Sequence, residues 1–146
     1  MKDDQNEINV LDELNKGACM GKDAIHFILD KVKDKDLKKE LNNQYQKYKS
    51  ISDRINKIYN QYNKEDTPHE TSAMNKIMTW YGIEMKTFMD QSTSKIAELL
   101  LQGTNMGIIE GRKLLNHKHT NEEVRELAQE YVDMQEDAVE KLKSFL

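Results

Sequence analysis

The residues best able to do chemistry are few and scattered. Four histidines, His26, His69, His117 and His119, and one cysteine, Cys19, are the strongest metal ligands and nucleophiles in the chain. His117-Lys118-His119 is a His-x-His at a predicted helix end, a spacing that can pick up zinc, but the favourable interaction of histidine with a helix C-terminus explains it more simply. His26 flanks an apolar seam and reads as a flanking side chain. Cys19 falls in mid-helix, where neither an N-terminal dipole nor a cationic cluster lowers its pKa, so an inert thiol is expected. Glu110 stands next to a run of glycines, and pairing with a lysine is its simplest role. No Gly-rich phosphate loop, Ser-His-Asp arrangement or paired-carboxylate signature stands out. The methionines beyond Met1 are the unusual feature. They read either as adaptable core filling or as a plastic apolar groove built from Met74, Met78, Trp80, Tyr81, Met85 and Phe88, with Trp80 as an anchor.

The elements that would position these residues are helices. Leu11, Leu14, Ala18, Gly21, Ile25, Ile28 and Val32 alternate spacings of three and four, which predicts a helix from about residue 4 to 32. Lys33-Asp34-Lys35-Asp36 is a tight polar connection in which Asp34 or Asp36 caps the next helix. That helix runs to about Asn63, with Leu37, Leu41, Gln44 or Tyr45, Tyr48, Ile51, Ile55, Ile58 and Tyr62 inward, and the short link makes the pair antiparallel. Pro68 closes it. Met74, Ile77, Met78, Tyr81, Met85, Phe88 and Met89 then form an amphipathic stripe over residues 71–90. A break is expected near Gln91-Ser-Thr-Ser, with Ser92 or Ser94 as N-cap, since an unbroken rod to His117 would be about 70 Å long. The last helix opens at Asn121 and carries Val124, Leu127, Ala128, Tyr131, Met134, Ala138, Leu142 and Phe145 on one face.

The helix from Ser92 to His117 carries Gly103, Gly107 and Gly111 at four-residue spacing. Each glycine costs a soluble helix about 1 kcal/mol relative to alanine, so a face of three implies a closely packed neighbour. An offset of 86 places Leu14, Gly17, Met20, Gly21 and Leu29 on Leu100, Gly103, Met106, Gly107 and Leu115, which suggests a duplicated hairpin. The expected partner of the glycine face is therefore the repeated helix.

Composition and charge narrow the function classes. The chain of 146 residues has 22 Lys and Arg against 26 Asp and Glu, a net charge of −4, which disfavours a general nucleic-acid binder. No apolar run is long enough to span a bilayer, no secretory leader is evident, and one cysteine forms no intramolecular disulfide, so a cytoplasmic single-domain protein is expected. Residues 31–64 carry ten basic against four acidic side chains, and residues 121–143 three against eight. A long connection between helices two and three can return along the bundle, leaving those two parallel and diagonal and setting the basic helix beside the acidic one.

The segments Leu14-Asn-Lys-Gly-Ala-Cys-Met-Gly-Lys-Asp-Ala-Ile and Leu99-Leu-Leu-Gln-Gly-Thr-Asn-Met-Gly-Ile-Ile-Glu-Gly-Arg-Lys-Leu-Leu, in duplicated hairpins, resemble an uncharacterised bacterial branch of ferritin-like proteins that includes spore-coat-related members. The resemblance implies an all-α, ferritin-like up-down four-helix bundle with an extra crossover helix between helices two and three. Ferritin-like di-iron centres take a Glu from two helices and Glu-x-x-His from the other two. This chain has no Glu-x-x-His, and Glu130 is followed at that spacing by Asp133. Gly17, Gly21, Gly103, Gly107 and Gly111 stand near the helix centres, so no metal or other cofactor is expected. The leading expectation is a non-enzymatic, metal-free structural or interaction module, self-associating as a dimer or meeting a protein partner. The alternatives are an iron-binding protein or oxidase using Glu110, Glu130 and Asp133, and a carrier of a small hydrophobic ligand in the Met-rich groove.

Overall fold

The computed structural model describes residues 4–62 and 92–146, and every regular element among them is a helix. They are α1 (Asp4–Leu29), α2 (Lys35–Tyr62), α3 (Thr93–His117) and α4 (Glu122–Lys143). The expected crossover helix, the Met74–Met78–Trp80–Tyr81–Met85–Phe88 groove and His69 lie outside the described residues.

The helix starts follow from local polar chemistry. Asp34 Oδ1 accepts from Leu37 N at 2.8 Å, Ser92 from Lys95 N at 3.3 Å, and Asn121 Oδ1 from Val124 N at 3.0 Å. Each side chain satisfies a backbone donor left without an intrahelical acceptor. Glu122 and Glu123 in the first turn of α4, with Lys141 and Lys143 in the last, complement its dipole. Helix α1 ends at Leu29 rather than Val32, because the chain tightens there: Lys31 N bonds Ile28 O at 2.8 Å and Val32 N bonds Leu29 O at 3.3 Å. Val32 remains buried all the same.

Cross-helix contacts fix the directions. Lys47 meets Asp137 at 3.6 Å and Arg54 meets Glu130 at 2.7 Å, so α2 and α4 run antiparallel, with the basic face beside the acidic one. Ser52 Oγ donates to Asn15 Oδ1 at 3.0 Å and Arg112 pairs with Glu136 at 3.0 Å, which set the registers of the antiparallel α1/α2 and α3/α4 hairpins. Glu7 Oε1 accepts Asn121 N at 2.8 Å and Asn6 donates to the His119 carbonyl at 3.0 Å, so α1 and α4 start at the same end and run parallel. The Asn121 amide also donates to the Tyr62 hydroxyl. Tyr62 and Thr93 therefore lie at opposite ends of the bundle, about 40 Å apart along its axis.

Leu11, Leu14, Ile28, Leu37, Leu41, Ile55, Ile96, Leu99, Leu127 and Leu142 form the fully buried core. In α2 the expected inward Ile58 and Tyr62 are only half-buried, and the last buried position is Tyr59. A straight helix at 3.6 residues per turn drifts away from a strict three-four alternation, and by Tyr59 the drift amounts to one residue. No described helix is long and apolar enough to cross a membrane.

Arg54 and Glu130 are each about half exposed, 48% and 52%, which limits what their short contact contributes. A double-mutant cycle with Arg54→Ala and Glu130→Ala, read by urea unfolding, is expected to give a coupling of about 0.2–1 kcal/mol, smaller at high salt.

Candidate functional site

Near mid-length the bundle departs from ordinary core packing. An ideal Cβ built on Gly21 would sit 2.8 Å from Cδ1 of Tyr48, one on Gly17 2.9 Å from Cζ of Tyr131, one on Gly111 2.6 Å from Cγ2 of Val132, and one on Gly107 3.0 Å from Cδ of Gln135. All four are closer than side-chain carbons normally approach. The glycines thus seat Tyr48 of α2 and Tyr131, Val132 and Gln135 of α4 directly on the backbones of α1 and α3. This corrects the expectation that the repeated helices pack glycine face to glycine face. Gly21 and Gly107 occupy equivalent repeat positions, and each accepts a side chain from the second helix of its own hairpin.

With Tyr48, Tyr131 and Gln135 taken up at that depth, α1 and α3 do not close over them. Among the described residues, a groove of about 500 Å³ lies between the two helices. Its α1 wall is Gly17, Met20, Gly21, Ala24 and Ile25, and its α3 wall is Leu100, Gly103, Thr104, Met106, Gly107 and Leu114. Gln44, Tyr48, Tyr131 and Gln135 lie beneath, with Glu13, Lys16 and Glu110 also lining it.

The buried part of the groove is polar but uncharged. Gln135, 2% exposed, donates from Nε2 to the Tyr48 hydroxyl at 3.3 Å, and its Oε1 is buried without a hydrogen-bond partner among the described residues. Burial pushes the Tyr48 phenol up from its ordinary pKa, more than hydrogen bonds with Gln135 and Thr104 lower it. Tyr131 is raised as well, first by burial and next by the neighbouring Tyr48. Thr104 Oγ1 also lies 2.7 Å from the Leu100 carbonyl, to which it donates, and Gln44 Nε2 donates to Glu40 at 2.8 Å. Near neutral pH the buried side of the groove is therefore lined by neutral phenols and amides.

The residues singled out as fallback metal ligands are not brought together. Glu110 is exposed and pairs with Lys113 at 3.6 Å, Glu130 faces Arg54, and Asp133 accepts from Gln129 at 2.9 Å. Among the described residues no group of three or more His, Cys, Asp or Glu could hold a metal ion. His26, His117 and His119 are exposed. Cys19 is buried on the α1/α2 side, its sulfur 4.0 Å from Ser52 Oγ. Met20 and Met106 line the groove, whereas Met134 packs half-buried against the core. Sequence reasoning missed Gln135, an amide on a polar stretch, and Asn15, a fully buried amide in an apolar seam. The signal for Gln135 was its position four residues after Tyr131, on the inward face. No family model, curated protein or solved structure matches the chain.

Two outcomes follow. Gly21→Ala, although alanine favours a helix by about 1 kcal/mol, is expected to give a net loss of about 1 kcal/mol or more in urea unfolding, because the Tyr48 ring blocks the methyl broadside. Both buried phenols have native pKa values raised above the unfolded value of 10.0, so the native state binds their protons more tightly. Stability is then full below pH 10 and falls as pH rises above it, by about 1.4 kcal/mol per pH unit for each tyrosine. Urea midpoints on either side of pH 10, with Tyr131→Phe reducing the slope, check this.

Proposed function

We propose that this chain is a ferritin-like bundle whose centre holds a small, largely apolar molecule instead of a metal pair, acting as a non-enzymatic binding or carrier module. The observation that carries the reading is the groove of about 500 Å³, apolar at the walls and neutral-polar beneath. That volume falls in the range of ordinary small-molecule sites, about 300–1,000 Å³. Helix directions support the ferritin-like comparison, because α2 and α3 run parallel while Tyr62 and Thr93 stand at opposite ends, as a single long crossover requires. Glycine, tyrosine and glutamine stand near mid-bundle, where that family's carboxylates and imidazoles would be, which leaves little to ligate iron. A single buried cysteine, which can form no intramolecular disulfide, suits a reducing cytoplasm.

The groove is of a different origin from the one expected in the Met74 to Phe88 stripe. It is formed by the two glycine-bearing helices, and its methionines are Met20 and Met106. Met106 and Ile109, three residues apart on α3, are 53% and 54% exposed, and this apolar edge supports self-association as a second role.

The neutral fluorophore N-phenyl-1-naphthylamine tests the reading. It is expected to bind saturably at about one per chain, and Gly103→Leu, which places a side chain in the groove, to weaken it by about tenfold or more with the circular dichroism unchanged. Binding unaffected by Gly103→Leu would place the probe elsewhere and remove the groove as the site. Incubation with ferrous iron under argon, desalting and mass spectrometry are expected to leave well under about one iron per chain; about two would restore the di-iron reading.

A further inference from the structure

We propose that a second copy of this chain docks on the outer edge of α3, in an antiparallel two-fold contact that sets Met106 of each copy against Ile109 of the other. The inference rests on the self-association reading of that edge and adds its partner and register; it does not depend on what the groove holds. Met106 and Ile109 are 53% and 54% exposed, and with the C-terminal Leu146 they are the exposed large hydrophobics among the described residues. Helix positions 102, 106, 109 and 113 follow spacings of four, three and four, the period of a seam between paired helices. Gln102, Met106, Ile109 and Lys113 occupy that stripe, and all four are exposed. Leu100, Thr104, Gly111 and Leu115, buried on the side of α3 away from it, supply the contact with the core.

The choice of a second copy follows from the pattern of the stripe, which is complementary to itself. A two-fold axis passing between positions 107 and 108 brings Met106 level with Ile109, Asn105 with Glu110, Gln102 with Lys113 and Glu98 with His117 of the second copy. Apolar meets apolar, amide meets charge and acid meets base, and no two like charges come level. An axis centred on Met106 leaves Ile109 opposite glycine, and one centred on Ile109 sets Met106 opposite Arg112. Glu98 and Glu110 keep their partners within the helix, Lys95 at 3.5 Å and Lys113 at 3.6 Å, so the free chain already presents the edge. Two-fold symmetry makes each favourable pair occur twice. A contact along three turns of one helix is smaller than the roughly 1,200 Å² of a standard interface, so the dimer is expected to be weak, with a Kd on the order of 100 µM.

The experiment is analytical ultracentrifugation of the full chain, of Met106→Glu, of Ile109→Lys, and of the two variants mixed in equal amounts. The wild type is expected to pass from monomer towards dimer between about 10 µM and about 1 mM. Each substitution sets a charge against an apolar side chain and should weaken the dimer about tenfold or more, with the circular dichroism unchanged because both positions are exposed. The mixture sets the new carboxylate against the new ammonium on one side of the axis and leaves Ile109 against Met106 on the other. It is expected to dimerise about tenfold more tightly than either variant alone, a recovery that no other register gives. A dimer unmoved by either substitution, or lost in both without recovery in the mixture, overturns this contact while self-association itself stands. A chain that stays monomeric throughout overturns the self-association reading as well. Neither result bears on the groove, which N-phenyl-1-naphthylamine probes separately.

Discussion

Tyr48, Tyr131 and Gln135 reach across the bundle to rest on backbone that carries no Cβ, and the middle of the molecule is arranged around that contact. A helix surface normally keeps its neighbour at 8–10 Å between axes through side-chain thickness. At Gly17, Gly21, Gly107 and Gly111 that thickness is missing from α1 and α3, and Tyr131, Tyr48, Gln135 and Val132 from α4 and α2 fill the space. Glycine weakens each helix, so the arrangement persists because burial of two tyrosine rings and a hydrogen-bonded amide offsets the loss. With the large groups drawn inward from one pair of helices, the other pair meets across a face that includes Gly17, Gly21, Gly103 and Gly107, and among the described residues a groove lies between them.

The ends of the bundle hold this middle in register. At one end Glu7, Tyr62 and Asn121 tie α1, α2 and α4 together, and the Asn121 amide oxygen still caps α4. Arg125 adds α3 by donating to the Leu115 carbonyl at 3.3 Å. Between α1 and α2, the buried Asn15 and Ser52 and the half-buried Asn56 form a polar cluster, in which Asn56 donates to the Ser52 carbonyl at 2.7 Å. A one-residue slip of either hairpin would strand these groups, so they specify register more than they add stability. The surface pairs between α2 and α4 act in the same sense, choosing which helices are neighbours.

Much of this fold could be read in the sequence because helices announce themselves by period and cap. The three-four spacing of Leu11, Leu14, Ala18 and Ile25, the caps at Asp34, Ser92 and Asn121, and the opposite charges of α2 and α4 all led to elements and neighbours seen here. The glycines announced that something comes close, but not what. A missing Cβ shows where room is needed and carries no information on which helix supplies the occupant. Gln135 was overlooked for a related reason: on a helix rich in Glu, Asp and Gln, its spacing of four from Tyr131 is the one sign that sets it apart from the solvent-facing amides. Tyr59 was displaced from the expected stripe by accumulated helical drift, and Asn15 was hidden as a polar residue in an apolar seam.

The most direct measurement is a double-mutant cycle between Gly17 and Tyr131 by equilibrium urea unfolding. Gly17→Ala is expected to destabilise the wild type, because the Tyr131 hydroxyl and Cζ occupy the position of the new methyl. In a Tyr131→Leu background those atoms are gone, and the same substitution should cost about 1 kcal/mol less or become stabilising, as alanine's helix propensity takes over. A cost equal in both backgrounds, within about 0.3 kcal/mol, would mean that the tyrosine does not rest on the glycine and that the groove above it has another cause.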